Sequence, residues 1–228
     1  MEKEIIGDAT LYLGDSRELM ASWEEGSVDH IITDVPYHNR THSNAKTNKA
    51  GAEEFIDFSS ISGEEFATFF AEFLRVSLRW VVSTCDFQHI PLLYDWPEFV
   101  RHGIWVKPNP TPQISGDRPG QGFEAVAILH REGRKRWNGG GKAGTWSVPV
   151  ARGALYPTEK PLSLLSHFVH DFTDVGETIF DPCMGRATTG VAAVTNGRKF
   201  IGCEIRRVAF DLACKRIEDE LKQGQLFH

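Results

Sequence analysis

Nothing in this chain approaches the roughly 18 consecutive apolar residues that a membrane-spanning helix needs. The opening MEKEIIGDATLYLG also lacks the basic-then-apolar order of a secretory signal. Cysteine is scarce and poorly spaced for cross-linking. Cys85, Cys183, Cys203 and Cys214 contain no CxxC pair, which argues against a zinc knuckle and a disulfide framework alike. Reduced thiols fit a cytoplasmic protein. His38/His42 and His167/His170 have helical spacing, but no cluster of further ligands accompanies either pair, so no metal is expected. Positive charge is short as well: 25 Lys and Arg against 31 Asp and Glu give a net charge of −6. A uniform field of that sign repels phosphates, so any polyanion contact must come from local basic patches. Two exist. Residues 38–50 hold Arg40, Lys46 and Lys49 without an acid, and residues 131–142 hold Arg131, Arg134, Lys135, Arg136 and Lys142 against Glu132 alone.

What the chain does have is an alternation of short β-rich apolar runs with helical patterns, the mark of α/β layers in a single domain over 1–228. Thr10–Leu13 and His30–Thr33 read as buried strands, the second closing on Asp34, and Trp80–Thr84, Gly103–Lys107 and Glu124–His130 read as further strands. Glu64–Arg79 carries Phe66, Phe69, Phe70, Phe73 and Leu74 at helical spacing, and Pro161–Phe172 repeats the pattern with Leu162, Leu165, Phe168 and Val169. Thr178–Phe180 is a strand, Thr188–Thr195 a small-residue helix, Lys199–Cys203 a strand and Val208–Lys222 an amphipathic helix. His38–Ser62 and Arg131–Tyr156 resist assignment. Long irregular loops in a compact domain are usually functional, and these two carry the basic patches.

Two constellations carry chemistry. The first is TIFDPCMGRATTGVAAVTNGRKFIGCEI, Thr178 to Ile205, in which a strand feeds a glycine turn, a helix and a second strand ending in Glu204. Glycine lets backbone approach a ligand, the helix N-terminus favours polar or negative groups, and an acid at the next strand end accepts hydrogen bonds from ribose hydroxyls. Such a unit suits an adenosine-type cofactor. The second is Asp34-Val35-Pro36-Tyr37, directly after a strand and therefore at the carboxyl end of the sheet, where open α/β folds bind ligands. Asp34 can accept from an amino group, and Tyr37 offers a face for stacking on a base. In isolation, Asp34–Tyr37 also reads as a plain turn.

The ordered set resembles the circularly permuted, β-type DNA amino-methyltransferases, which modify adenine N6 or cytosine N4. Asp34–Tyr37 is similar to their Asp/Ser-Pro-Pro-Tyr/Trp tetrapeptide, Pro157–Pro161 to Pro-Thr-Glu-Lys-Pro, Asp181–Thr189 to the cofactor turn and Phe200–Glu204 to Phe-Ile-Gly-x-Glu. Gly14-Asp15 resembles the Gly-Asp element that reaches the cofactor's adenine, and Trp105–Asn109 the Trp-x-Lys-Pro strand end. The resemblance implies a Rossmann-like S-adenosylmethionine-dependent fold: a mostly parallel seven-stranded sheet with an antiparallel last strand, circularly permuted. It implies S-adenosylmethionine contacts from Asp15, Thr158, Lys160, Asp181, Pro182, Met184, Gly185, Ala187, Thr188, Thr189 and Glu204. Catalysis falls to Asp34, Val35, Pro36 and Tyr37. Double-stranded DNA is the implied partner, contacted through Asn39, Arg40, Lys46, Lys49, Arg134, Lys135, Arg136 and Lys142, in a bacterial or phage-infected cell. Family members are often homodimers.

Asp rather than Ser at position 34 accompanies adenine more often in that family, which favours N6; N4-cytosine, RNA and a degenerate, non-catalytic binder are the alternatives. The segment ahead of Pro157 is short and glycine-rich, so a short or relaxed target is expected, with Asn44 a further contact. Two departures stand out. Val35 replaces the usual first proline, keeping its carbonyl but losing the fixed φ. Ala187 replaces the second glycine of the cofactor turn, which costs about 1 kcal/mol if the position needs positive φ. Pro182-Cys183 invites comparison with C5-cytosine enzymes, but here it sits in the cofactor turn and reads as packing. All of this requires the Asp34 loop and the Gly185 turn to lie side by side on one sheet edge.

Overall fold

A computed structural model describes residues 1–37, 61–110, 112–150 and 159–225. Its strands are β1 Glu2–Ile6, β2 Ala9–Leu13, β3 His30–Asp34, β4 Trp80–Cys85, β5 Phe99–Val106, β6 Phe123–His130, β7 Thr145–Ser147, β8 Thr178–Asp181 and β9 Lys199–Glu204. Its helices are α1 Ser16–Ala21, α2 Gly63–Val76, α3 Leu162–Phe172, α4 Thr188–Thr195 and α5 Arg207–Gln225, with a 3₁₀ turn at Ile90–Leu93. The strands form one sheet in the order β1-β2-β9-β8-β3-β4-β6-β5-β7. Strands β2, β9, β8, β3 and β4 run parallel. Strand β6 is antiparallel to both β4 and β5, so β5 points the same way as the parallel set. These seven make the expected mostly parallel sheet; β1, antiparallel to β2, and β7, parallel to β5, add an edge strand on either side.

The apolar runs HIIT and WVVS are continuous because their strands are covered on both faces. Ile31, Val81 and Phe180 pack with Leu19, Met20, Phe66, Phe70 and Phe73, the layer of α1 and α2. Their neighbours Ile32, Val82 and Ile179 face Leu165, Phe168, Val191 and Phe210, the layer of α3, α4 and α5. A Ser62–Glu65 capping box starts α2 and satisfies two orphan backbone donors. Edge strand β1 escapes a hydrophobic reading because four of its five residues are exposed. No described helix is long and apolar enough to cross a membrane, and all four cysteines are free thiols.

The consequence for function is directional. Asp15, Asp34, Lys107, Asp181 and Glu204 all stand at or just beyond the carboxyl ends of strands sharing one direction, and Glu124, near the start of β6, joins them there.

Candidate active site

Strands β3 and β8 are neighbours, so the segments that follow them emerge side by side. The Thr33 hydroxyl donates to Asp181 Oδ1 at 2.6 Å, and the Cys183 amide donates to the same oxygen at 3.0 Å. Asp181 is buried, and burial pushes its carboxyl up to about 6 against hydrogen bonds from Thr33, Thr189 and the Cys183 amide. After it the chain turns through Pro182 to Ala187 into α4. Gly185 is glycine for its φ of +52° and not for room, since an added Cβ would meet nothing within 4 Å. Ala187 takes φ 56° and ψ 42° as the N-cap of α4, the one non-glycine residue with positive φ among the described residues. The condition attached to the glycine replacement is therefore met. Ala187 cannot cap with a side chain, so the first amides of α4, at Thr188 and Thr189, face the turn without one. Met184 lies against β9, where a Cβ on Gly202 would come within 2.3 Å of its Sδ.

Glu204 ends β9, and its Oε1 accepts from the Arg206 amide at 2.9 Å. The Gly14 amide donates to the Glu204 carbonyl at 2.9 Å, which sets Asp15 beside it. Asp15 is the N-cap of α1, and hydrogen bonds from the Arg17 guanidinium hold its carboxyl below the usual range. The Asp181–Ala187 turn, Glu204 and Asp15 thus line up along β8, β9 and β2.

On the other side of β8, Asp34 closes β3. Its Oδ1 accepts from Thr84 at 2.5 Å and its Oδ2 from Lys160 Nζ at 2.6 Å. Lys160 Nζ is also 3.4 Å from Glu124 Oε2. Glu124 accepts from Lys107 Nζ and from the Tyr37 hydroxyl as well. Burial raises the Asp34 carboxyl above its ordinary value, with Glu124 adding to the rise and Lys160 opposing it. Burial acts the same way on Glu124, but the Lys160 and Lys107 ammonium groups outweigh it and hold that carboxyl at about 2. Burial and these two carboxylates push the Tyr37 phenol well up. Lys160 also stands 5.0 Å over one face of the Tyr37 ring. Val35, which stands where the family pattern has its first proline, is buried against the α2 layer, and that packing holds the backbone ahead of Pro36.

This arrangement has known counterparts. A sequence profile described as DNA methylase, covering the N6 and N4 types, matches residues 28–215. The chain belongs to that family. Type II methyltransferase M.HinfI of Haemophilus influenzae is 25% identical, covering 96% of this chain and 71% of the relative. Type II methyltransferase M2.DpnII of Streptococcus pneumoniae is 25% identical, covering 90% and 88%. Among solved structures, the M1.HpyAVI–SAM complex superposes with a TM-score of 0.68 at 25% identity, covering 91% of this chain and 99% of that one. The cytosine-N4-specific PvuII DNA methyltransferase shares the fold, with a TM-score of 0.68 at 16% identity, covering 96% and 93%.

Within this methylase, some of the expected site residues have protein partners of their own. Lys160, expected among the cofactor contacts, points to Asp34. Its neighbour Glu159 braces the Asp181–Ala187 turn, 2.6 Å from Arg216 Nη1 of α5, 3.4 Å from Arg186 and 3.2 Å from the Thr188 hydroxyl. Arg134, Lys135, Arg136 and Lys142 lie on a segment that crosses the amino edge of the sheet, opposite Asp34. Arg136 pairs with Asp174 at 2.8 Å and with Glu177, just ahead of β8, at 2.5 Å; Lys142 pairs with buried Asp171 at 3.1 Å. The Trp80 indole, at the start of β4, donates to the Arg136 carbonyl at 2.7 Å. Arginine side chains engaged this way are structural braces of that edge. Thr158, Asn39, Arg40, Asn44, Lys46, Lys49 and the pair His38/His42 fall outside the described residues. Glu124, Lys107, Thr84, Glu159 and Arg216 were missed by sequence reasoning. Only Lys107 and Glu159 lie in recognisable motifs, and the rest carry no local signal because their partners are remote in the chain.

Proposed function

We propose that this methylase transfers a methyl group from S-adenosylmethionine to the exocyclic amino group of a flipped base in double-stranded DNA, adenine N6 in the first place. The observation that carries the reading is the shared edge: Asp34 and the Asp181–Ala187 turn stand on adjacent parallel strands, bridged by Thr33. The residues fit the cofactor. Gly185 leaves open space over the turn, Glu204 is a carboxylate at the strand end suited to a ribose diol, and the α4 amides have no capping side chain. Asp181 supports the same reading, since a buried carboxylate held up near 6 is a cost the fold carries where function asks for it.

S-adenosylmethionine supplies an electrophilic methyl on a sulfonium. The chain's own residues prepare the amine. An aromatic amine is a weak nucleophile because its lone pair is conjugated into the ring. Asp34 and the Val35 carbonyl accept its two hydrogens and favour a pyramidal nitrogen, so the gain comes from positioning and electrostatics. The nitrogen lone pair forms the new N–C bond and the C–S pair returns to sulfur. The nitrogen then sheds a proton, which Asp34, with its raised carboxyl, is placed to take. Lys160 covers one face of Tyr37; a base stacked on the opposite face offsets about 1–3 kcal/mol of the flipping cost.

Asp34, rather than serine, supports adenine over cytosine. The bracing of the 131–144 segment at the amino edge leaves it few side chains for reading bases, which supports a short or relaxed target. The test is transfer of labelled methyl to unmethylated DNA, followed by nucleoside identification and long-read mapping. N6-methyladenine at short or degenerate sites is expected. N4-methylcytosine alone overturns the choice of base, strict modification of one six-base site overturns the relaxed target, and no transfer despite tight cofactor binding overturns catalysis.

A further inference from the structure

Four charged groups form a compact cluster at the catalytic edge: the carboxylates of Asp34 and Glu124 and the ammonium groups of Lys107 and Lys160. Their formal charges cancel. The cluster draws on β3, on β5 and β6, and on the residues ahead of α3, so no single element fixes it. In this state Asp34 is not ready for an amine. Thr84 holds Oδ1 and the Lys160 ammonium holds Oδ2 at 2.6 Å, so an incoming neutral N–H must compete with a cation for the oxygen it needs.

We propose that Glu124 is a positioning residue that takes the Lys160 ammonium off Asp34 when the target amine enters, while holding the Tyr37 hydroxyl in place. This inference rests on the amine-methylating reading above. Glu124 Oε2 is already 3.4 Å from Lys160 Nζ, so the transfer needs a side-chain shift of about an ångström or less, and the ammonium never leaves the field of the two carboxylates. Lys107 stays on Glu124 Oε1 throughout, which keeps the cluster neutral as the amine arrives. The same carboxylate orients Tyr37, so clearing the acceptor and setting the stacking ring are coupled through one side chain. Among the described residues, the remaining titratable groups that act on Asp34 are Cys85 at the end of β4, Asp181 at the end of β8 and Cys183 just after it, and none of them pairs with Lys160, whose partners are Asp34 and Glu124.

Glu124→Gln separates this role from a packing role. It keeps the shape and a hydrogen-bond acceptor but leaves Lys160 a single carboxylate partner. The expected result is a fall in kcat on the order of 10²-fold, with cofactor affinity and KM for DNA close to wild type. The acid limb of the kcat profile moves to lower pH, because Asp34 loses a negative neighbour. Lys160→Met moves that limb the opposite way, because Asp34 loses its cation. Glu124→Asp restores part of the rate. A Glu124→Gln protein with wild-type kcat and an unmoved limb overturns the proposal. If Glu124→Gln does not fold, the Lys160→Met profile decides: a limb that stays put or moves to lower pH overturns it. Wild-type protein that methylates no DNA defeats the functional reading instead. The inference is then decided in the free protein by carbon NMR of Asp34, whose titration must shift in opposite directions in the two variants.

Discussion

Thr33 donates its hydroxyl to Asp181 Oδ1 at 2.6 Å across 148 positions of sequence. The bond ties the strand that delivers the proposed catalytic tetrapeptide to the strand that opens the proposed cofactor turn. It does so one residue before Asp34, so the spacing between the two half-sites is set inside the sheet and not by the loops beyond it. Position on a rigid element is what a transfer reaction needs, since an error of about 1 Å between donor and acceptor costs on the order of 10²-fold in rate.

Asp181 makes stability depend on pH in an unusual direction. Its folded carboxyl sits near 6 against an ordinary value of 3.8, chiefly through burial. A raised folded value means that the native state binds the proton more tightly than the unfolded chain. Asp181 therefore costs nothing below the ordinary value and costs progressively more as pH rises to about 6. The loss is on the order of 3 kcal/mol and is complete above that point. Asp181→Asn removes the dependence. Denaturant melts of wild type and variant at several pH values should diverge between about pH 4 and 6 and run parallel above it. Parallel curves throughout would remove the buried carboxylate from the account.

Ala187 tests how much a left-handed alanine costs. Relief of positive φ by Ala187→Gly returns about 1–2 kcal/mol. The same change gives up a buried methyl worth about 0.8 kcal/mol and adds about 0.4–1 kcal/mol of unfolded-state entropy. The terms nearly cancel, so the glycine variant should melt within a few degrees of wild type. Ala187→Val places a β-branched side chain in the same left-handed, fully buried position and should cost more than about 2 kcal/mol. Thermal melts of the pair check both.

Much of this was legible in the residues. The apolar runs gave β3, β4, β8 and β9 to within a residue or two, because strands covered on both faces carry a continuous signal. Asp34, Gly185 and Glu204 followed from their places at strand ends. Edge strand β1 and three-residue β7 stayed hidden because little of either is buried. The Glu124 cluster was illegible for another reason. Its members are spread over Asp34, Lys107, Glu124 and Lys160, and only the crossing order of the sheet brings them together. The ion pairs that Arg136 and Lys142 make at the amino edge were equally hidden, because clustering in sequence says nothing about which edge a segment crosses.

Cys183 should be dispensable. Burial pushes its thiol well above the usual range, and the Asp181 and Glu204 carboxylates add to the rise, so almost no thiolate exists near neutral pH. Cys183→Ala is expected to keep kcat/KM within about twofold of wild type, and the wild-type thiol is expected to resist alkylation in the folded protein. Loss of transfer with cofactor binding intact would return this cysteine to the chemistry.

The two basic patches should separate cleanly in a salt titration of DNA binding. Arg134 and Lys135 are carried on the amino edge of the sheet, where Arg136 and Lys142 are already paired with Asp174, Glu177 and Asp171. On the proposed reading, DNA that presents a base to Asp34 approaches the opposite edge, more than a Debye length away along strands of four to six residues and their flanking turns. Replacing Arg134 and Lys135 with serine should therefore change DNA affinity less than about twofold and leave the slope of log affinity against log salt unaltered. Replacing Arg40, Lys46 and Lys49, which follow the proposed catalytic tetrapeptide in the sequence, should flatten that slope by about 0.9 for each phosphate that the variant no longer neutralises. The reverse pattern, with the slope falling only in the Arg134 and Lys135 variant, would mean that DNA wraps to the amino edge and that the braces there are exchanged for phosphates on binding.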